Sequence, residues 1–227
     1  MNERDLLATV PIFSDLSKSE MDHLCDIVIH RSYKKGNMIL MEDEFGDTFF
    51  IIKEGSVKIT RLSEDGREVI LAMLGEGEFF GEMSLLDGQT RSANAIALED
   101  SEALILKRVE FIALLKKYPK VSISLLRELT QRLRKSDQQI ESLSLSNAEH
   151  KIGITLLRLA DEMGTIRHGK VTIKNLPYQQ DIANMAGTSR ETVSRTLKIL
   201  EERNLIERTE HSLIILDYLQ FKRLFGK

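Results

Sequence analysis

Between Gly36 and Ala97, short apolar runs ("NMIL", "TFFIIK", "SVKIT", "EVILAML") alternate with breaks that carry Gly36, Gly46, Gly55, Gly66 and Gly75. Turn signals every 9 to 11 residues predict many short antiparallel strands, folded as a sandwich or roll. Ahead of this region, "SKSEMDHLCDIV" has helical spacing. Beyond Pro119 the apolar period lengthens: Leu126, Leu129, Leu133, Ser136, Ile140 and Leu143 follow one another at alternating intervals of 3 and 4. This is the a/d register of a coiled coil, although an ordinary amphipathic helix packed on the roll satisfies so short a run equally well. Ser136 is the odd member. A hydroxyl in an apolar seam costs stability unless something there uses it.

A second change of pattern falls near "SLSNAEHK". Ser146 followed three residues later by Glu149 has the form of a capping box and predicts a new helix through "IGITLLRLADEM". After it the pattern predicts a loop, "MGTIRHGK", then a strand, "VTI", two helices joined by a tight turn, and a strand pair around "HSLIIL". The two helices lie in "QQDIANMAGTSRETVSRTLKILEE". A helix-turn-helix needs a small residue where the helices cross, a turn residue that tolerates positive φ, and a buried β-branched residue in the second helix. Ala183, Gly187 and Val193 meet these needs in order. The start of the second helix then offers Thr188, Ser189, Arg190, Glu191, Thr192, Ser194, Arg195 and Lys198 to a DNA major groove. Arginine can bond both major-groove acceptors of guanine, and a carboxylate can accept from the cytosine amino group. Glu191 has a second reading, closing a capping box with Thr188, and for the arginines the second reading is a solvated helix face.

Composition narrows the class. The 227 residues are 42% hydrophobic and 30% charged, with three prolines, as in an ordinary folded chain. No apolar run approaches the roughly 18 to 20 residues that span a bilayer, and the acidic "MNERD" start lacks the basic region of a signal peptide, so a cytoplasmic protein without a membrane partner is expected. The single cysteine, Cys25, is incompatible with a disulfide framework or a four-cysteine cluster, and is expected to be buried and inert. Five histidines (His23, His30, His150, His168 and His211) show no i, i+3 or i, i+4 pair. The net charge of −3 conceals an asymmetry: residues 145–227 carry 13 Lys and Arg against 10 Asp and Glu, whereas residues 1–144 carry 19 against 25. A basic third on an acidic body suits contact with a polyanion.

One stretch, "GEMSLLDGQTRSANA", places Arg91 among small, apolar and turn-forming residues, ten after the Gly81-Glu82 pair. Such an arginine is either a solvated surface charge or the partner of an anion. Together with "VPIFSDLS", the glycine-punctuated roll, the long helix and "TSRETVSRTLKILEE", this stretch resembles the bacterial cyclic-AMP receptor protein and fumarate-nitrate regulator family of transcription factors along nearly the whole chain. The resemblance implies an α+β protein: a cyclic-nucleotide-binding, jelly-roll-like β-roll over residues 1–118, a long dimerisation helix over 119–144, and a winged helix-turn-helix over 145–227. It implies that Gly81, Glu82, Met83, Ser84, Arg91 and Ser92 form a phosphate-binding cassette. In it Arg91 meets the cyclic phosphate, the Ser92 hydroxyl and backbone amides donate to its oxygens, and Glu82 accepts from the ribose 2′-hydroxyl. Ser136 and Asp137 match the pair that meets the base. Asp137 departs from the neutral residue of the best-known members, and its carboxylate could accept from adenine or from guanine, so the expected effector is cyclic AMP, with cyclic GMP or another effector as the alternative. The resemblance further implies a homodimer, double-stranded DNA with palindromic TGTGA-like sites, contact with RNA polymerase through "MGTIRHGK", no metal, no cofactor besides the effector and no catalytic residues. Two alternatives are a nucleotide-gated enzyme, for which no nucleophile–base or metal-ligand pattern is visible, and a factor that binds DNA constitutively.

Overall fold

The computed structural model describes residues 3–63, 66–145, 147–209 and 212–226, with backbone alone at 138 and 141–145. Ser146 and His211 lie outside the described residues, as does the Leu143 side chain. The chain divides into two compact units, one comprising the described residues up to 135 except 66–70, the other residues 66–70 with those from 136 on.

The first unit opens with two helices, α1 (Glu3–Thr9) and α2 (Lys18–Ile27). Eight strands follow: β1 (Ile29–Tyr33), β2 (Met38–Leu40), β3 (Thr48–Glu54), β4 (Val57–Leu62), β5 (Glu68–Leu74), β6 (Phe79–Phe80), β7 (Asn94–Ala97) and β8 (Ser101–Lys107). A one-and-a-half-turn helix, α3 (Met83–Asp87), sits between β6 and β7. The strands form two four-stranded sheets, in the orders β1-β8-β3-β6 and β2-β7-β4-β5. Helices α4 (Arg108–Lys117) and α5 (Pro119–Leu145) come next.

The run "TFFIIK" is continuous rather than alternating because β3 is buried on both faces. Successive side chains of a strand point to opposite sides. Phe49 and Ile51 join Leu104, Leu106, Phe79 and Phe111 in a core with Leu6, Leu7, Phe13, Val121 and Leu125 of the helical layer. Phe50 and Ile52 face the other way, into a second core with Val57, Phe80, Ala95, Ala103 and Ile105 between the sheets. Ring stacking marks each side, Phe49 on Phe111 at 4.5 Å and Phe50 on Phe80 at 5.0 Å. The roll extends past Ala97, where the glycine punctuation stops, because β8 is a central strand of the first sheet. Cys25 is half-buried against the helical core rather than fully buried, and that burial, with Glu3 nearby, raises its thiol pKa.

The second unit carries α6 (Ala148–Met163), β9 (Gly164–Arg167), β10 (Lys170–Lys174), α7 (Gln179–Ala186), α8 (Arg190–Glu202), β11 (Ile206–Arg208), β12 (Ser212–Ile215) and α9 (Tyr218–Phe225). Its sheet runs β11-β12-β10-β9. Two expectations need correction. The cap of α6 is Asn147, whose side chain accepts from the His150 N–H at 2.9 Å, while Glu149 is bonded by Arg203 at 2.7 Å. The segment "MGTIRHGK" is a hairpin and not a loop: Gly164–Arg167 pairs antiparallel with β10 across His168 and Gly169, at φ 50° and 79°. Two successive positive φ values are the mark of a tight two-residue hairpin turn.

Candidate functional site

Arg91 is not a surface charge. It is only 4% exposed, and its guanidinium is held by neutral acceptors from three places in the chain. Nη1 donates to the Gly81 carbonyl at 2.7 Å and to Ser84 Oγ at 2.8 Å; Nη2 donates to the Thr48 carbonyl at 2.8 Å and to Thr48 Oγ1 at 3.1 Å. Local backbone geometry builds this cradle. The Arg91 N–H donates to Glu44 O, and Asp43 N–H donates to Arg91 O, which fixes the loop before β3 beside the cassette. Gly81 turns with φ 82°, a region open to glycine, and so aims its carbonyl at the guanidinium. Gly46 is needed for a different reason: a Cβ there would lie 1.9 Å from Arg91 Nε.

Glu82, 4% exposed, begins α3 beside this cradle. Arg132, on α5, approaches its Oε1 at 3.3 Å and Glu128 at 3.6 Å, donates to the Phe79 carbonyl at 2.7 Å, and lies 4.3 Å over the Phe79 ring. Burial pushes the Glu82 carboxyl up, and Arg132 and then Arg91 pull against it. Burial likewise lowers Arg91, against the pull of Asp47 and Glu82, yet a guanidinium keeps its proton. No carboxylate lies within ion-pair distance of Arg91 among the described residues. A buried charge held only by neutral groups is costly, and an anion is the chemical complement of such a site.

The structure therefore brings Gly81, Glu82, Ser84 and Arg91 together. Met83 and Ser92 lie exposed, with Ser92 Oγ donating to Met83 Sδ at 3.6 Å. Ser136 and Asp137 are exposed on α5. Sequence reasoning missed Thr48, Gly46 and Arg132. Thr48 and Gly46 precede Arg91 by more than 40 residues and Arg132 follows it by as many, so no local spacing could have linked them.

In the second unit, α7 ends at Gly187, φ 60° and ψ 45°, whose N–H caps the Ala183 carbonyl. Ala183 and Val193 are fully buried. The cap of α8 is Ser189, whose hydroxyl accepts from the Thr192 N–H at 3.2 Å. The capping box between Thr188 and Glu191 is thus absent. The Glu191 backbone N–H and the Ser189 hydroxyl hold the Glu191 carboxyl below its usual value, on an exposed side chain. Arg190, Ser194, Arg195 and Lys198 are exposed with it, while Thr196, Leu197 and Leu200 face the core; Thr188 and Thr192 are half-buried and Ser189 is exposed at the cap.

A β-roll with a buried cation–carboxylate site and a winged helix-turn-helix with an open polar face together define a ligand-responsive DNA-binding regulator class. Residues 30–118 match the cyclic nucleotide-binding domain, and residues 150–224 match the Crp-like helix-turn-helix domain. The chain is 37% identical over 196 residues to the cyclic AMP receptor protein of Thermus thermophilus, covering 86% of this chain and 88% of that one. It is 30% identical over 213 residues to a CRP-like cAMP-activated global transcriptional regulator of Mycobacterium tuberculosis, covering 94% and 95%. Among solved structures, the Thermus thermophilus catabolite activator protein is similar at 32% identity, TM-score 0.55, covering 95% and 98%. FixK2 of Bradyrhizobium japonicum shares the fold at 23% identity, TM-score 0.77, covering 87% and 97%. The chain belongs to the cyclic-AMP receptor protein and fumarate-nitrate regulator family, whose members are bacterial transcription regulators and not enzymes. Among the described residues no helix is long and apolar enough to cross a membrane.

Proposed function

We propose that the protein is a cytoplasmic homodimeric regulator that binds palindromic TGTGA-like DNA when a cyclic nucleotide, cyclic AMP before cyclic GMP, occupies the cassette. The observation that carries this reading is the buried Arg91 guanidinium, hydrogen-bonded only to neutral acceptors among the described residues and lying beside Glu82 in a domain of the cyclic-nucleotide-binding family. A cyclic phosphate is a monoanion that an arginine fork and neutral donors balance without surplus charge. Glu82 would accept from the ribose 2′-hydroxyl, Ser92 and backbone N–H groups would bond the phosphate, and Gly81, Met83 and Ser84 would shape the wall. The activation by cAMP in the name of the Mycobacterium tuberculosis relative favours that nucleotide.

Dimerisation rests on α5. Leu126, Leu133 and Ile140 are 64%, 62% and 63% exposed at intervals of seven, a stripe that a second copy of the helix would cover. Ser136 and Asp137, exposed on the same helix, would meet the base. A ligand shifts a conformational equilibrium only through its differential affinity for the two states, and contacts on the dimer helix supply such a difference. Arg190, Glu191 and Arg195 would read the half-site, with Ser194 on the same face. Thr188, Ser189, Thr192 and Lys198 would hold the backbone, and the β9–β10 hairpin is the surface for RNA polymerase.

Calorimetry with cyclic AMP and cyclic GMP, paired with fluorescence anisotropy on a TGTGA palindrome at fixed salt, tests the reading. The expected result is stoichiometric binding of at least one nucleotide and tighter operator binding in its presence. Operator affinity that ignores both nucleotides would instead identify a constitutive DNA-binding factor.

A further inference from the structure

The Arg91 contacts bear on how an anion can reach the guanidinium. Its planar fork has five N–H donors, one on Nε and two on each Nη. It can grip two oxygens at once along only two edges, Nε with Nη2 or Nη1 with Nη2, since the remaining side is blocked by its own Cδ. Nη2 belongs to both. Both bonds that Nη2 donates go to one residue, Thr48, to its carbonyl at 2.8 Å and its hydroxyl at 3.1 Å. Nη1 is committed as fully, to Gly81 O and Ser84 Oγ. A bidentate phosphate on either edge therefore has to compete with Thr48 for Nη2. The hydroxyl is the weaker of the two by length, and it is a side-chain group free to turn, whereas the carbonyl is fixed at the first residue of β3.

From this we infer that Thr48 is a positioning residue that competes with the effector phosphate for Arg91: its hydroxyl occupies the guanidinium nitrogen that bidentate phosphate binding requires, and so sets effector affinity below what the cassette alone would give. The inference rests on the reading of Arg91 as the phosphate partner. Removing the competing acceptor relieves this competition for Nη2, and because that bond is exchanged for one to the phosphate rather than lost outright, the affinity gain is the net worth of an ordinary hydrogen bond, about three- to tenfold. A merely structural threonine would show no gain on removal, and its effect would be indifferent to Arg91.

The test is cyclic AMP titration by calorimetry of the full chain with Thr48→Val, Thr48→Ser, Arg91→Ala, and Thr48→Val combined with Arg91→Ala, with melting temperatures recorded in parallel. Thr48→Val is expected to bind about three- to tenfold more tightly and Thr48→Ser to match wild type within about twofold, with no binding in either protein that lacks Arg91. If the β-branched valine disturbs the start of β3, Thr48→Ala deletes the same hydroxyl and carries the same expectation. Equal or weaker binding by the hydroxyl-free variants, with binding lost in Arg91→Ala, overturns the role of Thr48 and leaves the cassette reading standing. Wild-type affinity in Arg91→Ala overturns the cassette reading, and this inference with it.

Discussion

A methyl group at position 46 would lie 1.9 Å from Arg91 Nε and 2.1 Å from Cζ, inside the guanidinium itself. Gly46 does not sit at positive φ, and the three nearest atoms that an added Cβ would meet all belong to the Arg91 guanidinium. Gly46→Ala is expected to drive the guanidinium off the Gly81, Ser84 and Thr48 acceptors and to weaken cyclic-nucleotide binding by at least about tenfold, since hydrogen bonds to a charged group are each worth about 1.5–3 kcal/mol. Gly75→Ala is the control: it too lacks a positive φ, and nothing lies within 4 Å of its added Cβ, so affinity should stay unchanged. Titration of both variants checks the pair; loss of binding in both would mean that glycine replacement harms the roll in general. The contrast shows what the sequence could convey. Gly46 and Gly75 are equivalent as turn signals, and only the fold reveals that one of them is emptied for an arginine 45 residues away. Arg91 and Glu82 were legible as a pair through the family resemblance, which rests on a local stretch, whereas Arg132 and Thr48 reach them through the packing of α5 and β3.

Among the elements, legibility followed periodicity and turn punctuation. The capped, amphipathic α8 has one apolar side, through Val193, Leu197 and Leu200, and its periodicity stands out. Strands β3 and β8 both bury two faces and carry continuous apolar runs; β3 was read because Gly46 and Gly55 bracket it, whereas β8 lies beyond the glycine breaks and went unread. The β9–β10 hairpin was missed because His168 adopts positive φ, a conformation its residue type signals weakly. The cap of α8 turns on one position. With Ser189 as the N-cap, Glu191 is released from the capping-box role that Thr188 would have given it. Ser189→Ala is expected to lower stability by about 1 kcal/mol, the usual worth of a cap. Glu191→Gln should leave the melting temperature nearly unchanged and alter the base selected at the pair offering a cytosine amino group, since glutamine presents a donor where the carboxylate only accepts. Binding-site selection on wild type and Glu191→Gln, at fixed salt with saturating nucleotide, reads this out; identical enriched sequences would remove Glu191 from the reading set.

The chain as a whole is acidic in its first part and basic in its last, a balance that would favour DNA phosphate at the helix-turn-helix third over the cyclic-nucleotide-binding part. In the proposed dimer, specific affinity would depend on two reading domains bound at once to half-sites about one helical turn, roughly 34–36 Å, apart. The α5 stripe is where that coupling would be made. Val121 and Leu125 are committed to the helical core of the first unit and Leu129 packs against it, whereas Leu126, Leu133 and Ile140 are open, so substitution in the stripe spares the fold. Leu133→Asp places a charge at a seam position where two copies would face each other, and is expected to give a monomer by analytical ultracentrifugation with a melting temperature close to wild type. Its affinity for an isolated half-site should be retained. Its affinity for the full palindrome should fall by roughly 10²–10⁴, the avidity that a linked second contact contributes. The two affinities must move independently for the dimer to be the device: if Leu133→Asp stays dimeric, or turns monomeric while still holding the palindrome as tightly as wild type, the exposed stripe on α5 is not what joins the two reading domains.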